Sequence, residues 1–198
     1  MSDAPKQTLI ERILNLELAM FLSVPVLQKA GCQEHPEEFK RTRRAQFLTW
    51  SEKTLASYQE DLLQAEAEGR NLMTHKYARM DGLIPKLEDD PLIEQIVEIE
   101  YAWQKEMFRR YPRLMGGARP LASAEDSPFQ TSFETYLSGE LETYSRQTLA
   151  ALFQDMTQAL AEGRSMTEDL YTHLVRSYGY ASLEEAEEAA AGNGPIQG

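Results

Sequence analysis

The sequence predicts an all-α protein, a helical bundle made of two tandem, diverged copies of a three-helix unit plus a short C-terminal helix. Apolar residues recur every three or four positions along each long segment, which is typical of amphipathic helices. No run between turn residues shows the alternation of a strand. The chain also resembles itself when it is shifted by 94 residues.

One four-residue match anchors this internal repeat. Ala67-Glu68-Gly69-Arg70 falls on Ala161-Glu162-Gly163-Arg164. The first helices match at a shift of 83 instead, because the second copy is longer between its first two helices. Identities in fixed register indicate duplication. The predicted units span residues 9–80 and 90–191, packed as one globular domain, with tails at 1–8 and 192–198.

Each unit is predicted to begin with a core helix. In the first copy this helix runs from about Leu9 to Val24, with Thr8 and Glu11 as a capping box. In the second copy Asp90 is the N-cap and Pro91 takes the first helical position, a strong start signal.

The second helix of each unit is predicted to be long and unbroken. It runs from Pro36 to Gly69 in the first copy and from about Phe133 to Gly163 in the second, where glycine supplies a left-handed stop.

A shorter third helix follows each Gly-Arg pair, and capping boxes mark the last two helices. Ser165 and Glu168 start the third helix of the second copy, and Ser182 and Glu185 start the C-terminal helix.

Composition excludes several classes of function. A net charge of −12 argues against binding nucleic acid through phosphate neutralisation. The single cysteine, Cys32, cannot form an internal disulfide. No signal peptide opens the chain, and no apolar stretch approaches the roughly 18 residues that span a bilayer. The sequence therefore predicts a cytoplasmic protein with no membrane segment.

Glu17 and Glu100 interrupt apolar helix faces at the same place in both copies. A buried carboxylate needs a partner, and Arg70 and Arg164 are repeated in the same way, so we expect a Glu–Arg pair in each unit. For Glu17, Arg43 is the other candidate partner. The alternative is a pair of carboxylates for a metal or for proton transfer. Helical metal sites usually add Glu-x-x-His motifs, and the sequence has none, so we predict neither metal nor cofactor.

Polar residues present in one copy alone are the better functional candidates. Arg43 lies on an apolar face where the second copy has Leu137, so it requires a carboxylate or an anionic ligand. Lys76 and Arg79 also lack basic counterparts, although a solvated helix face would explain them equally well. Cys32 is a candidate nucleophile, or simply a small packing residue. The predicted ligand-binding residues are Gln33, Arg43, Trp50, Arg70, Lys76, Tyr77 and Arg79.

Several first-copy motifs resemble a bacterial family of unknown function, which occurs alone or joined to nucleotidyltransferase-like domains. The resemblance rests on Cys32-Gln33, Gln46-Phe47, Gly69-Arg70-Asn71-Leu72 and Lys76-Tyr77-Ala78-Arg79-Met80. Two positions depart from the family pattern: Leu18 replaces a tryptophan, and His75 replaces a glutamate. The resemblance implies a family-level site near these residues and no particular activity.

These observations favour a helical binding protein whose first copy holds a polar, solvent-reaching pocket. Arg43, Arg70, Lys76 and Arg79 would give it a positive potential for an anionic small molecule or an acidic partner segment. Arg43→Leu would then abolish binding and leave stability unchanged or higher. One alternative is an enzyme that uses Glu17 or Cys32 in the same pocket. Another is a structural interaction module, which could be a homodimer.

Overall fold

A computed structural model describes residues 4–24, 35–86, 89–127 and 130–193 of the chain, and these residues form an all-α bundle. They contain nine α-helices. The helices are α1 (Ala4–Leu22), α2 (Pro36–Thr49), α3 (Glu52–Ala67), α4 (Leu72–Met80), α5 (Pro91–Arg110), α6 (Phe133–Leu141), α7 (Arg146–Ala161), α8 (Met166–Ser177) and α9 (Leu183–Asn193). Within these ranges, no helix combines the length and the apolar character needed to cross a bilayer.

Three predicted N-caps are confirmed, at Asp90, Ser165 and Ser182, and the one at Thr8 is wrong. Ser182 accepts a hydrogen bond from the Glu185 amide at the start of α9. Asp90 accepts a hydrogen bond from the Leu92 amide, with Pro91 at the first helical position. Ser165 caps α8 in the same way, through the Glu168 amide. In contrast, α1 begins at Ala4, so Thr8 lies inside the helix and donates to the Ala4 carbonyl instead of capping.

The predicted long second helix is wrong in both units, because each is broken by a serine N-cap. Ser51 accepts a hydrogen bond from the Thr54 amide and starts α3. Ser145 accepts one from the Thr148 amide and starts α7. A Ser-x-x-Thr pattern offers the backbone a new helix start, and here it outcompetes continuation through Trp50. Each unit therefore has four helices rather than three.

Gly69 and Gly163 end α3 and α7, as the sequence predicts. Their φ angles of 67° and 69° are left-handed, which costs glycine little. The next residue then reaches back into the last helical turn, where the Arg70 amide donates to the Ala65 carbonyl and the Arg164 amide to the Ala159 carbonyl.

One apolar core joins the two units. It contains side chains from α1, α3, α5 and α7, among them Ile13, Leu55, Ile96 and Leu149. A smaller cluster at the C-terminal end of α5, around Met107 and Met115, receives α9. Because the units share their main core, neither buries its apolar faces alone.

Two reciprocal hydrogen bonds connect the start of α3 with α7 and the start of α7 with α3. The Ser51 amide donates to Asp155 Oδ2 at 2.9 Å, and the Ser145 amide donates to Asp61 Oδ2 at 3.0 Å. The two serines, and the two aspartates, are related by the shift of 94 residues. Each helix start is thus completed by an aspartate of the other helix.

Removing either aspartate should destabilise the protein measurably. Asp61→Ala should cost about 1 kcal/mol, the usual contribution of such a hydrogen bond. Asp155→Ala should cost more, because Asp155 also accepts from the Thr54 hydroxyl at 2.6 Å. Asp→Asn at each position keeps an acceptor oxygen and serves as the control. Urea unfolding measures the loss in free energy of unfolding for each variant. Equal losses for Asp61→Ala and Asp155→Ala would contradict the prediction.

Candidate functional site

The guanidinium of Arg43 is the centre of a buried charge network, which we define as Glu17, Arg43, Lys76 and Glu140. Arg43 reaches from α2 to Glu17 on α1, where Nε donates to Oε2 at 2.9 Å and Nη2 donates to Oε1. Arg43 is 5% exposed and Glu17 is fully buried. This paired geometry is the strongest that an arginine and a carboxylate form.

Glu140 brings the second unit into the network. Its Oε1 accepts from Arg43 Nη1 at 2.8 Å, and its Oε2 accepts from Lys76 Nζ at 2.6 Å. Arg43 Nη1 also donates to Gln46 Oε1, and Gln46 stands at the position that the shift of 94 relates to Glu140. Two carboxylates and two cations leave the network with no net charge.

Two tyrosines each add a further hydrogen bond to one oxygen of these carboxylates. Tyr58 donates to Glu17 Oε1 at 2.6 Å, and Tyr144 donates to Glu140 Oε1. Their rings lie 4.8 Å apart, and Trp50 packs against both of them edge-on. The ring of Tyr136 covers Lys76, with Nζ 3.7 Å from the ring centre. The network is thereby closed off by aromatic rings.

Attraction between opposite charges keeps Arg43, Lys76 and Glu140 ionised in the interior. Burial alone would raise the pKa of Glu140, but the attraction of Arg43 and Lys76 outweighs it and holds this pKa far below its ordinary value. Burial would lower the pKa of Lys76, but Glu140 raises it above its ordinary value. Burial raises the pKa of Tyr58 and Tyr144, and the neighbouring carboxylates raise both further.

Glu100 does not repeat the environment of Glu17, so the predicted Glu–Arg pair is wrong in the second unit. Its carboxylate accepts a hydrogen bond from the Thr167 hydroxyl at 2.6 Å and has no arginine partner among the described residues. Leu137 stands where Arg43 stands in the first unit and offers no charge. Burial, opposed by the Thr167 bond, raises the pKa of Glu100 from 4.5 to about 7.

Arg70 and Arg164 bind elsewhere, which corrects the predicted pairing. Arg70 pairs with Glu68 at 2.6 Å, and its side chain is 46% exposed. Arg164 pairs with Glu162 and Asp169. An arginine directly after a left-handed glycine points back along its own helix end, which keeps it away from the core. The four first-unit cations therefore do not converge on one pocket.

The remaining predicted site residues lie in three settings. Trp50 is buried within the aromatic cluster, and Tyr77 packs near the Phe21 ring. Arg79 donates to Glu142 Oε2 at 2.8 Å and stays partly exposed. Cys32 and Gln33 lie outside the described residues.

Arg79 borders a groove at the junction of the two units, which we call the junction groove. Its volume is about 630 Å³. It is lined by α4, α5, α6 and the segment after α4, through Arg79, Lys86, Ile93, Glu94, Val97, Glu98, Tyr101, Glu134, Ser138 and Glu142. It is open to solvent on the side where Glu94 and Glu98 are exposed.

Glu140 and Tyr58 were not predicted as members of the site. Glu140 lies three residues after Leu137 and four before Tyr144, so helical spacing places it on the apolar face of α6. The capacity of a carboxylate to accept several hydrogen bonds indicates that a buried Glu17 would need a further donor such as the Tyr58 hydroxyl.

This arrangement offers little for catalysis. Both oxygens of Glu17 accept hydrogen bonds from Arg43, and Tyr58 adds another, so no accessible lone pair is directed to solvent. In the ranges that the structure describes, no three His, Cys, Asp or Glu side chains group as metal ligands. The network binds the helices to one another rather than presenting a reactive group.

The fold and the site together define an all-α protein whose helices are joined by a buried charge network. Residues 7–188 match the family described as protein of unknown function (DUF4125), and the chain belongs to that family. No curated protein and no solved structure matches the chain.

Replacing Arg43 should destabilise the protein, in contrast to the expectation from its leucine counterpart. Arg43→Leu leaves Glu17 and Glu140 buried with too little positive charge, which should cost about 3–5 kcal/mol in urea unfolding. Arg44→Leu is the matched control, because Arg44 on the same helix pairs with Glu11 of α1 at the surface. It should cost about 1 kcal/mol or less. Adding Glu17→Gln to Arg43→Leu should recover part of the loss, and a fully additive double variant would contradict the network.

The two equivalent glutamates should respond oppositely to amide substitution. The pKa of folded Glu100, about 7, lies above its ordinary 4.5, so the free energy of unfolding falls as pH rises between these values. Glu100→Gln should therefore raise stability by about 1–2 kcal/mol near pH 8 and change it little near pH 5. Glu17→Gln should lower stability at both pH values, since Arg43 loses one of its two carboxylate partners. Thermal unfolding at the two pH values tests the contrast, and a loss of stability in Glu100→Gln near pH 8 would refute it.

Proposed function

We propose that this protein is a non-catalytic helical binding module and that the junction groove is its ligand surface. One observation carries the proposal: the groove is a concave, solvent-open surface built from both units, whereas the predicted first-unit pocket is filled by the chain itself. Ligand sites are commonly concave and lie where structural units meet.

The sequence predicted that the cations of the first unit would bind an acidic segment of a partner. In the structure, glutamates of the same chain occupy that role. Lys76 and Arg79 on α4 pair with Glu140 and Glu142 around the end of α6. An anionic ligand at Arg43 or Lys76 would have to displace Glu140 from a buried site, which is costly. The geometry therefore favours the interaction-module hypothesis over an anion pocket and over an enzyme based on Glu17.

We also infer that the module arose by duplication. Equivalent serines start α3 and α7, equivalent glycines end them, and equivalent aspartates exchange hydrogen bonds.

Blocking the groove should abolish ligand binding. Peptides selected from a random phage-displayed library on the folded protein should bind Ser138→Trp at least about tenfold more weakly, because the indole fills the groove. Ala150→Trp, on the exposed side of α7, is the control and should bind normally. Circular dichroism confirms that both variants fold. Selected peptides that bind Ser138→Trp as well as the wild type would contradict the proposal.

A further inference from the structure

The junction groove carries an excess of negative charge. Four of its side chains are glutamates and two are cations. Both cations already have carboxylate partners, because Arg79 pairs with Glu142 and Lys86 pairs with Asp89. The remaining glutamates are Glu94, Glu98 and Glu134, and no described cation forms an ion pair with them.

Glu94 and Glu98 are the two exposed glutamates that α5 contributes to the groove. They lie four residues apart on α5, so they project side by side one helical turn apart, and both are exposed. Like charges in this arrangement repel one another, which a bound cation would relieve. Tyr101 follows three residues after Glu98 and also lines the groove, where its ring face can receive a cation.

Apolar side chains complete the surface. Ile93 and Val97 each directly precede one of these glutamates on α5 and line the groove, although both side chains are almost fully buried. A ligand that matches the groove therefore needs positive charge toward α5 and an apolar group toward its floor. This combination is found in a protein segment that mixes basic and apolar residues, and a small inorganic cation does not supply it.

We infer that the groove binds a basic segment of a partner protein, with lysine or arginine side chains against Glu94 and Glu98. This inference rests on the proposed function and adds the chemistry of the partner to it. Arg79 and Lys86 each have a carboxylate partner within the chain, which weakens their repulsion of such a segment. The net charge of −12 further speeds the approach of a basic partner.

The test compares peptides that differ in charge alone. A peptide alternating lysine or arginine with leucine is titrated by fluorescence anisotropy, beside versions with glutamine or glutamate at the basic positions. The basic peptide should bind, and Glu94→Gln/Glu98→Gln should weaken it by about tenfold or more. Glu60→Gln/Glu66→Gln makes the same charge change on the exposed face of α3 and should leave affinity unchanged.

The outcomes separate this inference from the proposed function. If the glutamine or glutamate peptide binds as tightly as the basic one and Ser138→Trp blocks it, the groove is a binding surface and the basic partner is wrong. If Ser138→Trp blocks no peptide, both are wrong. Spermine supplies positive charges without apolar side chains, so it should bind more weakly than the basic peptide. Equal affinity would assign the groove to a free polyamine and overturn the inference.

Discussion

The fold depends on neutralising the guanidinium of Arg43, which is almost fully buried. An unpaired charge in a protein interior costs several kcal/mol, so Arg43 can be buried only where carboxylates meet it. Those carboxylates come from α1 and α6, and Glu140 in turn requires Lys76 from α4. Four helices are thereby positioned by a single requirement. The apolar core supplies stability that is not directional, and the network decides which faces meet.

The network also shapes the outer surface. Glu140 and Glu142 bring the end of α6 onto α4, and the side of this contact that faces α5 forms the junction groove. Lys76 and Arg79, the cations of α4, are both paired with these glutamates. The groove that results is acidic, although α4 at its margin carries Lys76 and Arg79. The sequence alone suggested a positively charged binding surface near Lys76 and Arg79. Because these cations pair with carboxylates of the same chain, the groove beside them is negatively charged instead.

Local signals in the sequence predicted most of the fold. The caps at Asp90 and Ser165 and the stops at Gly69 and Gly163 are decided by a few neighbouring residues, so they can be found without a structure. The breaks at Ser51 and Ser145 also had a local signal, but periodic apolar residues continue across them and concealed it.

The site was harder to predict, because its partners are distant in the chain. The burial of Arg43 and its need for a carboxylate followed from its place on an apolar face. Glu17 was identified as one candidate partner. Glu140 lies 97 residues from Arg43, and no spacing rule connects them. Arg70 and Arg164 were misassigned as partners of the buried glutamates, because each pairs with the glutamate two residues before it in the chain.

Gln46 and Glu140 occupy equivalent positions and bind the same nitrogen of Arg43, one as an amide and the other as a carboxylate. Because the amide is uncharged, Glu17 and Glu140 alone balance Arg43 and Lys76. A carboxylate at position 46 as well would place three negative charges against two cations inside the protein. The network therefore stays neutral only because these two positions carry different groups.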